Sequence, residues 1–145
     1  MTVRNVLSTK GEANVVTIAP DATVREAAAL LSEKRIGTVV ASSDGSTCEG
    51  ILSERDIVRE IGARGAEVLD ERVDAIMTRE IQTCARSDTA KSVLQRMTEG
   101  RFRHMPVLED GAMVGLVSLG DIVKDRLTEV RAERDALTDL VMGHG

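Results

Sequence analysis

Two serine–aspartate pairs stand where a short apolar strand is expected to lead into a helix. The pairs are Ser53–Asp56 and Ser118–Asp121, and each has the same three-residue spacing. A serine at the helix N-cap with an acid at N3 is typical of a capping box, so one pair alone favours a purely structural role. A helix N-terminus also offers unpaired N–H groups to phosphate oxygens, and an acid there can accept two vicinal ribose hydroxyls. Repetition of the pair adds weight to the ligand-binding reading.

A basic segment, Gly100-Arg-Phe-Arg-His-Met-Pro106, is the second place where the residue types could do chemistry. Arginine can hold a phosphate bidentately. Strand alternation predicts Arg101, Arg103 and Met105 on one face, with Phe102 and His104 on the other. The alternative is a solvated edge strand, which Pro106 favours.

The matching segment of the first half is weaker in charge. Lys34 and Arg35 are basic, but Gly37 and Thr38 stand where the second half has Arg103 and His104. If the chain has two ligand sites, we expect them to differ in how strongly they bind phosphate.

These segments belong to an internal repeat. Gly50-Ile-Leu-Ser-Glu-Arg-Asp-Ile57 is echoed 65 residues later by Gly115-Leu-Val-Ser-Leu-Gly-Asp-Ile122, and Ile36–Ala41 is echoed 66 residues later by Phe102–Val107. Asp21–Val24 is likewise echoed by Ser87–Ala90. A fixed period indicates repeated structural units.

The pattern predicts the order β-α-β-β-α in each repeat. In the first repeat we expect a strand, a helix capped by Thr23 with Glu26, two hairpin strands, and a helix that Gly62 ends. The expected strands are Val15–Ile18, Ile36–Ala41 and Gly50–Ser53, and the last helix begins at Glu54. In the second repeat we expect strands at Ile81–Cys84, Phe102–Leu108 and Met113–Ser118 and a helix capped by Thr89.

The domain boundaries follow from these elements. We expect an N-terminal helical segment at 1–14, with its helix over Thr2–Lys10 ended by Gly11, and a first repeat at 15–62. A connector at 63–80 leads to the second repeat at 81–126, and 127–145 is a helical extension.

The last helix is expected to run from Leu119 to a stop at Gly143. Apolar residues recur along it at steps of three and four, with Arg134 interrupting them. They are Val123, Leu127, Val130, Leu137 and Val141. A helix lying along its own domain is one interpretation, and a homodimer contact is the favoured one.

The composition excludes several functional classes. A net charge of −5 argues against a general nucleic-acid or membrane-surface binder, and one phenylalanine without tyrosine or tryptophan gives no stacking platform for single strands. Two cysteines without metal-binding spacing, no signal peptide and no long apolar run lead us to expect a cytoplasmic protein without a metal site. His104 and His144 are the only histidines, and no nucleophile or phosphate-loop motif is present, so we expect no enzyme.

Taken together, the Gly-aliphatic-aliphatic-Ser-x-x-Asp-Ile blocks, Arg101–Val107 and Val73-Asp-Ala-Ile-Met-Thr78 resemble a tandem pair of CBS (cystathionine-β-synthase-type) domains. The resemblance covers about residues 15 to 125 and is closest to small stand-alone bacterial pairs. It implies a mixed α/β fold in which two β-α-β-β-α repeats pack sheet to sheet with pseudo-twofold symmetry. It also implies two clefts that bind adenine nucleotides (AMP, ADP or ATP), NAD(H) or S-adenosylmethionine, and a homodimer.

The resemblance also implies the roles of individual residues. Asp56 and Asp121 would hold ribose hydroxyls, and Ser53 and Ser118 would bond ribose or phosphate. The phosphates would face Arg101, Arg103 and His104 in the second repeat and the weaker Arg35 and Gly37 in the first. Thr17, Ile18, Thr83 and Cys84 would line the adenine slots.

We therefore expect a regulatory, non-catalytic sensor of an adenine nucleotide, without a required metal. Its partners would be the nucleotide, a second copy through the repeat helices and the C-terminal helix, and a regulated protein. The alternative is a structural or interaction module without a physiological nucleotide.

Overall fold

The structure is a computed structural model that describes residues 1–10 and 15–141. Its contacts divide the chain into two compact units. The first-repeat unit comprises Val15–Gln82 with the hairpin tip Asp110–Val114. The second-repeat unit comprises the N-terminal segment, Thr83–Glu109 and the chain from Gly115 onward. The expected mixed α/β class is confirmed.

The first-repeat unit follows the predicted β-α-β-β-α order. Its elements are β1 (Thr17–Ile18), α2 (Val24–Lys34), β2 (Thr38–Ala41), β3 (Gly50–Ser53) and α3 (Glu54–Arg64), followed by a 3-10 turn (Ala66–Asp70) and α4 (Val73–Ile76). Strand β2 pairs in parallel with β1 and antiparallel with β3. The sheet is covered by apolar residues of α2, α3 and the segment after α3, which form the core.

Helix α2 begins as the sequence predicts. The Glu26 N–H donates to Thr23 Oγ1 at 3.1 Å, and the Thr23 N–H donates to Glu26 Oε2 at 3.3 Å, which completes a capping box. The buried face of the helix consists of Val24, Ala27 and Leu31, spaced three and four residues apart.

The predicted end of α3 at Gly62 is wrong, because the helix continues to Arg64. A glycine inside a helix costs only about 1 kcal/mol, so Gly62 does not stop it. The chain turns at Gly65, where φ is 89° and the N–H donates to the Ile61 carbonyl at 2.7 Å. The positive φ favours glycine at that position.

The second-repeat unit contains α1 (Val3–Lys10), α5 (Ala90–Gly100), β4 (His104–Glu109), β5 (Ala112–Ser118) and α6 (Leu119–Val141). Strands β4 and β5 form a hairpin around Asp110-Gly111, both with positive φ (52° and 81°), as a type I′ turn requires. Strand β4 begins two residues later than predicted, because Arg101 adopts a left-handed conformation (φ 57°) that ends α5.

The predicted strand Ile81–Cys84 is wrong as a strand, because only a single parallel bridge, Cys84 to Val107, is formed there. In the first repeat, the Val40 N–H donates to the Val16 carbonyl at 3.0 Å. Pro106 occupies the position of Val40 and has no N–H to donate. The equivalent ladder bond cannot form, and the strand shrinks to the bridge.

The segments that precede each repeat are also repeated. The Val73 N–H donates to the Ala22 carbonyl at 2.7 Å, and the Val3 N–H donates to the Asp88 carbonyl at 2.8 Å. Residue 22 corresponds to residue 88, so α1 occupies in the second-repeat unit the place that α4 occupies in the first. The predicted connector therefore carries a core element of the first-repeat unit.

We call the chain that precedes each repeat, around α1 for the second-repeat unit and Val73–Thr78 for the first, its lead-in segment. Two matching glycines leave room for these segments to pack. A Cβ built on Gly50 would lie 2.3 Å from Met77 Sδ and 2.7 Å from its Cγ. A Cβ on Gly115 would lie 2.7 Å from Leu7 Cδ2. The first residue of each Gly-aliphatic-aliphatic-Ser block is thus glycine because a lead-in side chain packs directly on its backbone.

Helix α6 runs from Leu119 to Val141, and the expected stop at Gly143 lies outside the described residues. Ile122 is its only fully buried residue among those described. The interpretation that the apolar stripe lies along its own domain is wrong for the distal half, where Val130, Leu137 and Val141 are 49%, 63% and 83% exposed.

We predict that Gly50→Ala lowers the free energy of unfolding by about 1–3 kcal/mol, because the new methyl group overpacks against Met77. Gly62→Ala is the matched control: Gly62 is exposed and helical, and its Cβ would meet no atom within 4 Å. It should stabilise the protein by about 0.5–1 kcal/mol. Urea unfolding followed by circular dichroism measures both. Equal effects of the two substitutions would contradict the packing role of Gly50.

Candidate functional site

The Ser53–Asp56 pair forms a reciprocal capping box at the junction of β3 and α3. The Asp56 N–H donates to Ser53 Oγ at 3.2 Å. Asp56 Oδ2 accepts from the Ser53 N–H at 3.0 Å and from the Ser53 hydroxyl at 2.9 Å. The predicted structural role of the pair is therefore confirmed, and the carboxylate is held rigidly at the end of the sheet.

The other oxygen of this carboxylate has a partner that the sequence-based prediction did not include. Asp56 Oδ1 accepts from Arg59 Nη2 at 2.9 Å, and the aspartate side chain is 12% exposed whereas the arginine side chain is 65% exposed. A carboxylate has about four acceptor positions. Three are occupied, so a vicinal diol could gain two only if Arg59 or the Ser53 hydroxyl moved away.

The chain before β2 meets this junction through backbone bonds. The Glu54 N–H donates to the Gly37 carbonyl at 2.9 Å, and Thr38 pairs with Ser53 in the sheet. A Cβ on Gly37 would lie 3.6 Å from Glu54 Oε1. Gly37 and Ser53 are thus neighbours, as the resemblance implies.

A cavity of about 550 Å³ lies between α2 and α3 of the first-repeat unit. Arg35 and Gly37 line it together with Glu54 and apolar side chains, Ile57 and Val58 among them. Ser53, Asp56, Thr17 and Ile18 are not among its lining residues. Arg35 caps the C-terminus of α2 in a left-handed conformation (φ 55°) and forms part of the cavity wall.

Thr17 and Ile18 form β1 and are both half-buried. Thr17 pairs with Val40 and Ile18 with Ala41, so β2 lies between these residues and Ser53 at the end of β3. The Ile18 carbonyl accepts from the Ser42 N–H at 2.9 Å.

The second repeat builds the same junction from Ser118 and Asp121. The Ser118 N–H donates to Asp121 Oδ2 at 3.0 Å, and the Asp121 N–H donates to Ser118 Oγ at 3.0 Å. The Leu119 N–H donates to the Arg103 carbonyl at 2.7 Å, which matches the Glu54–Gly37 bond of the first repeat. Arg103 therefore stands beside the Ser118–Asp121 box.

The predicted face pattern of the basic segment is wrong. Arg101 and Arg103 are exposed, whereas Met105 is fully buried. Arg101 is the left-handed cap of α5 and β4 begins only at His104, so strand alternation does not extend back to the arginines. The half-buried His104 is the first residue of the strand.

Cys84 forms the bridge that replaces the first strand of this repeat, and Thr83 precedes it in the chain. The Thr83 carbonyl accepts from Arg96 Nη1 at 2.9 Å. Cys84 is 5% exposed, and burial, followed by the negative charge of Asp88, raises the pKa of its thiol to about 11. The Cys84 thiol is therefore neutral at physiological pH.

Each candidate set falls within one unit. The first set, in the first-repeat unit, is Thr17, Ile18, Arg35, Gly37, Ser53 and Asp56. The second, in the second-repeat unit, is Thr83, Cys84, Arg101, Arg103, His104, Ser118 and Asp121. Sequence reasoning missed Arg59, although its position three residues after Asp56 on the same helix face was a usable signal.

Within residues 1–10 and 15–141, no three histidine, cysteine or acidic side chains are grouped as a metal ion would require. No helix in the same part of the chain is long and apolar enough to cross a membrane. His144 lies outside the described residues.

The CBS domain family model matches residues 3–63 and 73–127, and the chain belongs to this family. Both matches begin at a lead-in segment, Val3 and Val73, in agreement with the hydrogen-bond correspondence described above.

Among curated relatives, the mitochondrial CBS domain-containing protein CBSX3 of Arabidopsis thaliana is 31% identical over 98% of this chain and 72% of its own length. The pair also occurs within longer proteins: CBSCBSPB2 of Arabidopsis thaliana is 27% identical, but the matched region is only 22% of its length.

Solved structures give the same fold. A CBS-domain protein of Agrobacterium tumefaciens is 40% identical with a TM-score of 0.81, covering 87% of this chain and 99% of that one. A CBS-domain protein of Pyrobaculum aerophilum, solved in complex with AMP, is 27% identical with a TM-score of 0.72, covering 83% of this chain and 89% of that one.

Proposed function

We propose that this protein is a regulatory CBS pair that binds an adenine nucleotide and performs no catalysis itself. The observation that carries the proposal is the pair of Ser-x-x-Asp boxes, each beside the backbone of Gly37 or Arg103 at a strand-to-helix junction. The AMP complex of the Pyrobaculum aerophilum relative supports an adenosine-type ligand.

The roles proposed for the residues follow their chemistry. Asp56 and Asp121 accept ribose hydroxyls, and Ser53 and Ser118 bond ribose or phosphate oxygens. Arg103 and His104, with Arg101 nearby, supply positive charge toward phosphate in the second repeat. Thr17 and Ile18 in one repeat, and Thr83 and Cys84 in the other, offer backbone and aliphatic contacts to adenine. AMP, ADP, ATP and NAD(H) all carry the adenosine that these groups would recognise.

The two repeats are proposed to bind unequally. Gly37 in the first repeat provides no charge where the second has Arg103, and Arg35 lines the α2–α3 cavity instead. Asp56 is already paired with Arg59. The missing charge at Gly37 weakens phosphate binding at the first repeat relative to the second, and the Arg59 pair competes with a ribose for Asp56.

A homodimer in the cytoplasm is part of the proposal. The α2–α3 cavity is bordered by the apolar Ile36 and Ile57 and by Val58, which is 69% exposed. Exposed valine beside an apolar cavity suits burial against a second copy through the repeat helices. The apolar stripe of α6 is a second exposed surface, and it also supports the alternative reading of an interaction module that needs no nucleotide.

We predict that AMP raises the thermal unfolding midpoint, and that the rise grows with the logarithm of AMP concentration above its dissociation constant, as ligand linkage requires. Because the chain has no tryptophan or tyrosine, purified protein should absorb little at 280 nm, and nucleotide retained from the cell would give a peak near 260 nm. Thermal scans with AMP, ADP, ATP and NADH, beside a guanosine control, make the measurement. The absence of any shift with all four adenine ligands, together with a flat spectrum, would favour the interaction module.

We predict that Arg59→Gln tightens adenosine binding at the first repeat by about two- to fivefold, the typical strength of an exposed ion pair. Adenosine is the probe because it lacks a phosphate that Arg59 could attract. Calorimetry in an Asp121→Ala background isolates the first repeat. The control is Lys124→Gln, the matching position of the second repeat, which should leave this affinity unchanged. Weaker binding by Arg59→Gln would show that the arginine contacts the ligand instead of competing with it.

A further inference from the structure

The distal part of α6 is a helix without a covering surface in its own unit. Helix α6 contacts α5 and α1, but every side chain from Arg131 to Val141 is exposed. Most helical stability in proteins comes from packing of an apolar face, so this stretch of eleven residues gains stability when something packs on it.

Five exposed apolar residues of α6 lie along one line that Arg134 interrupts, and we name this line the C-terminal seam. Its positions alternate in steps of four and three, as the a and d positions of a coiled coil do. The seam consists of Val123, Leu127, Val130, Arg134, Leu137 and Val141, and its apolar members are 39% to 83% exposed.

The charged residues that flank the seam are mostly basic. Lys124, Arg131 and the uncharged Thr138 border one side, and Arg126, Glu133 and the apolar Leu140 border the other. With Arg134 inside the seam, four cations and one acid face a partner helix. The acids of α6 lie mainly on the back, where Arg126 pairs with Glu129 at 3.2 Å and Arg134 approaches Asp135 at 3.7 Å. These partly exposed pairs are weak, so both arginines remain able to meet new acids.

This charge pattern does not favour a second copy on the seam. In a parallel pair of identical helices, Arg134 would face its own counterpart and Arg126 would face the counterpart of Arg131. In the antiparallel pair that overlaps the whole seam, Arg131 and Glu133 would each face their own counterparts. Shifted antiparallel pairs leave part of the seam uncovered.

A membrane surface also fits less well than a helix. Over most of its length the seam is two positions wide in seven, the width of a coiled-coil contact, and only at its end does the exposed Leu140 widen it. Interfacial helices instead carry a broad apolar face with bulky anchors along their whole length. The only aromatic residue of the chain, Phe102, is outside α6, and the back of α6 is acidic.

We propose that the C-terminal seam docks an amphipathic helix of another protein whose apolar a and d residues are flanked by Asp or Glu. Apolar burial supplies the attraction, and the basic flanks select an acidic partner. The docking surface belongs to α6 alone, so it does not depend on nucleotide binding.

The test uses two synthetic helical peptides of about four heptads, with Leu at a and d and a single Trp at an outer position. One has Glu at e and g, and the other has Lys. Because the protein has no tryptophan, peptide fluorescence reports binding directly. We expect the Glu peptide to bind at least about tenfold more tightly than the Lys peptide at low salt, with a smaller difference at high salt.

Matched variants locate the contact. Leu137→Asp places a charge in the seam, and Ala132→Asp places the same charge on the exposed back of the helix. Leu137→Asp should abolish binding and Ala132→Asp should retain it, with equal helix content by circular dichroism. Arg131→Glu combined with Arg134→Glu should reverse the preference toward the Lys peptide.

Three outcomes overturn the proposal. Equal affinity for the two peptides, or none for either, removes the acidic helix as the occupant. Loss of the native oligomer mass in Leu137→Asp but not in Ala132→Asp would assign the seam to a second copy. Binding to anionic phosphatidylserine vesicles that Leu137→Asp abolishes, with no peptide binding, would assign it to a membrane.

Discussion

Everything in each repeat depends on one hydrogen-bonded junction, the box between a serine at the end of a strand and an aspartate in the first turn of the following helix. In the first repeat the box fixes α3 against β3, and the Glu54–Gly37 backbone bond ties the same helix start to the chain entering β2. The second repeat makes the matching bonds. A carboxylate that caps a helix is held in one orientation, so the requirement of the fold also preorganises a ligand acceptor.

The duplication extends further than the repeated motifs. Each lead-in segment donates to the chain before a repeat's long helix and places an aliphatic side chain on a glycine. The N-terminal helix completes the second-repeat unit, and the connector completes the first. Each unit thus includes residues from outside its own repeat, as expected if a repeat of about 45 residues alone is too small to supply a complete core.

Much of this could be predicted from the sequence, because capping and turn chemistry are local. The Thr23 cap, β3 and the serine–aspartate boxes have the expected positions, since each needs only residues within one turn. The wrong predictions concern features that depend on contacts between distant residues, or on which of two nearby glycines ends a helix. The strand before Thr89 depends on whether its neighbour can donate, and Pro106 cannot. The sequence pattern predicts that Gly62 ends α3, whereas Gly65, with its positive φ, ends it. The sequence similarity between the segments at Val3 and Val73 is too short to be recognised by itself. Their matching hydrogen bonds are what reveal the correspondence.

The unequal repeats follow from the same junction. Asp56 and Asp121 have the same cap, but the sequence position of Arg59, which bonds Asp56, is occupied by the shorter-reaching cation Lys124 in the second repeat. Gly37 and Arg103 differ in charge at equivalent backbone positions. Under the proposed function, two unlike sites would respond to two ranges of ligand concentration or to two ligands, because occupancy depends on each affinity separately.

The central claim is that one carboxylate serves both the fold and the ligand. The most direct measurement is AMP binding by calorimetry to a double variant, Asp56→Asn with Asp121→Asn. An asparagine oxygen can still accept the cap bonds, but it lacks the charge and half of the acceptor positions. The account predicts that the unfolding midpoint changes little while the AMP dissociation constant rises by about tenfold or more, as expected for lost charge-assisted hydrogen bonds. AMP affinity equal to that of the unmodified protein would contradict it.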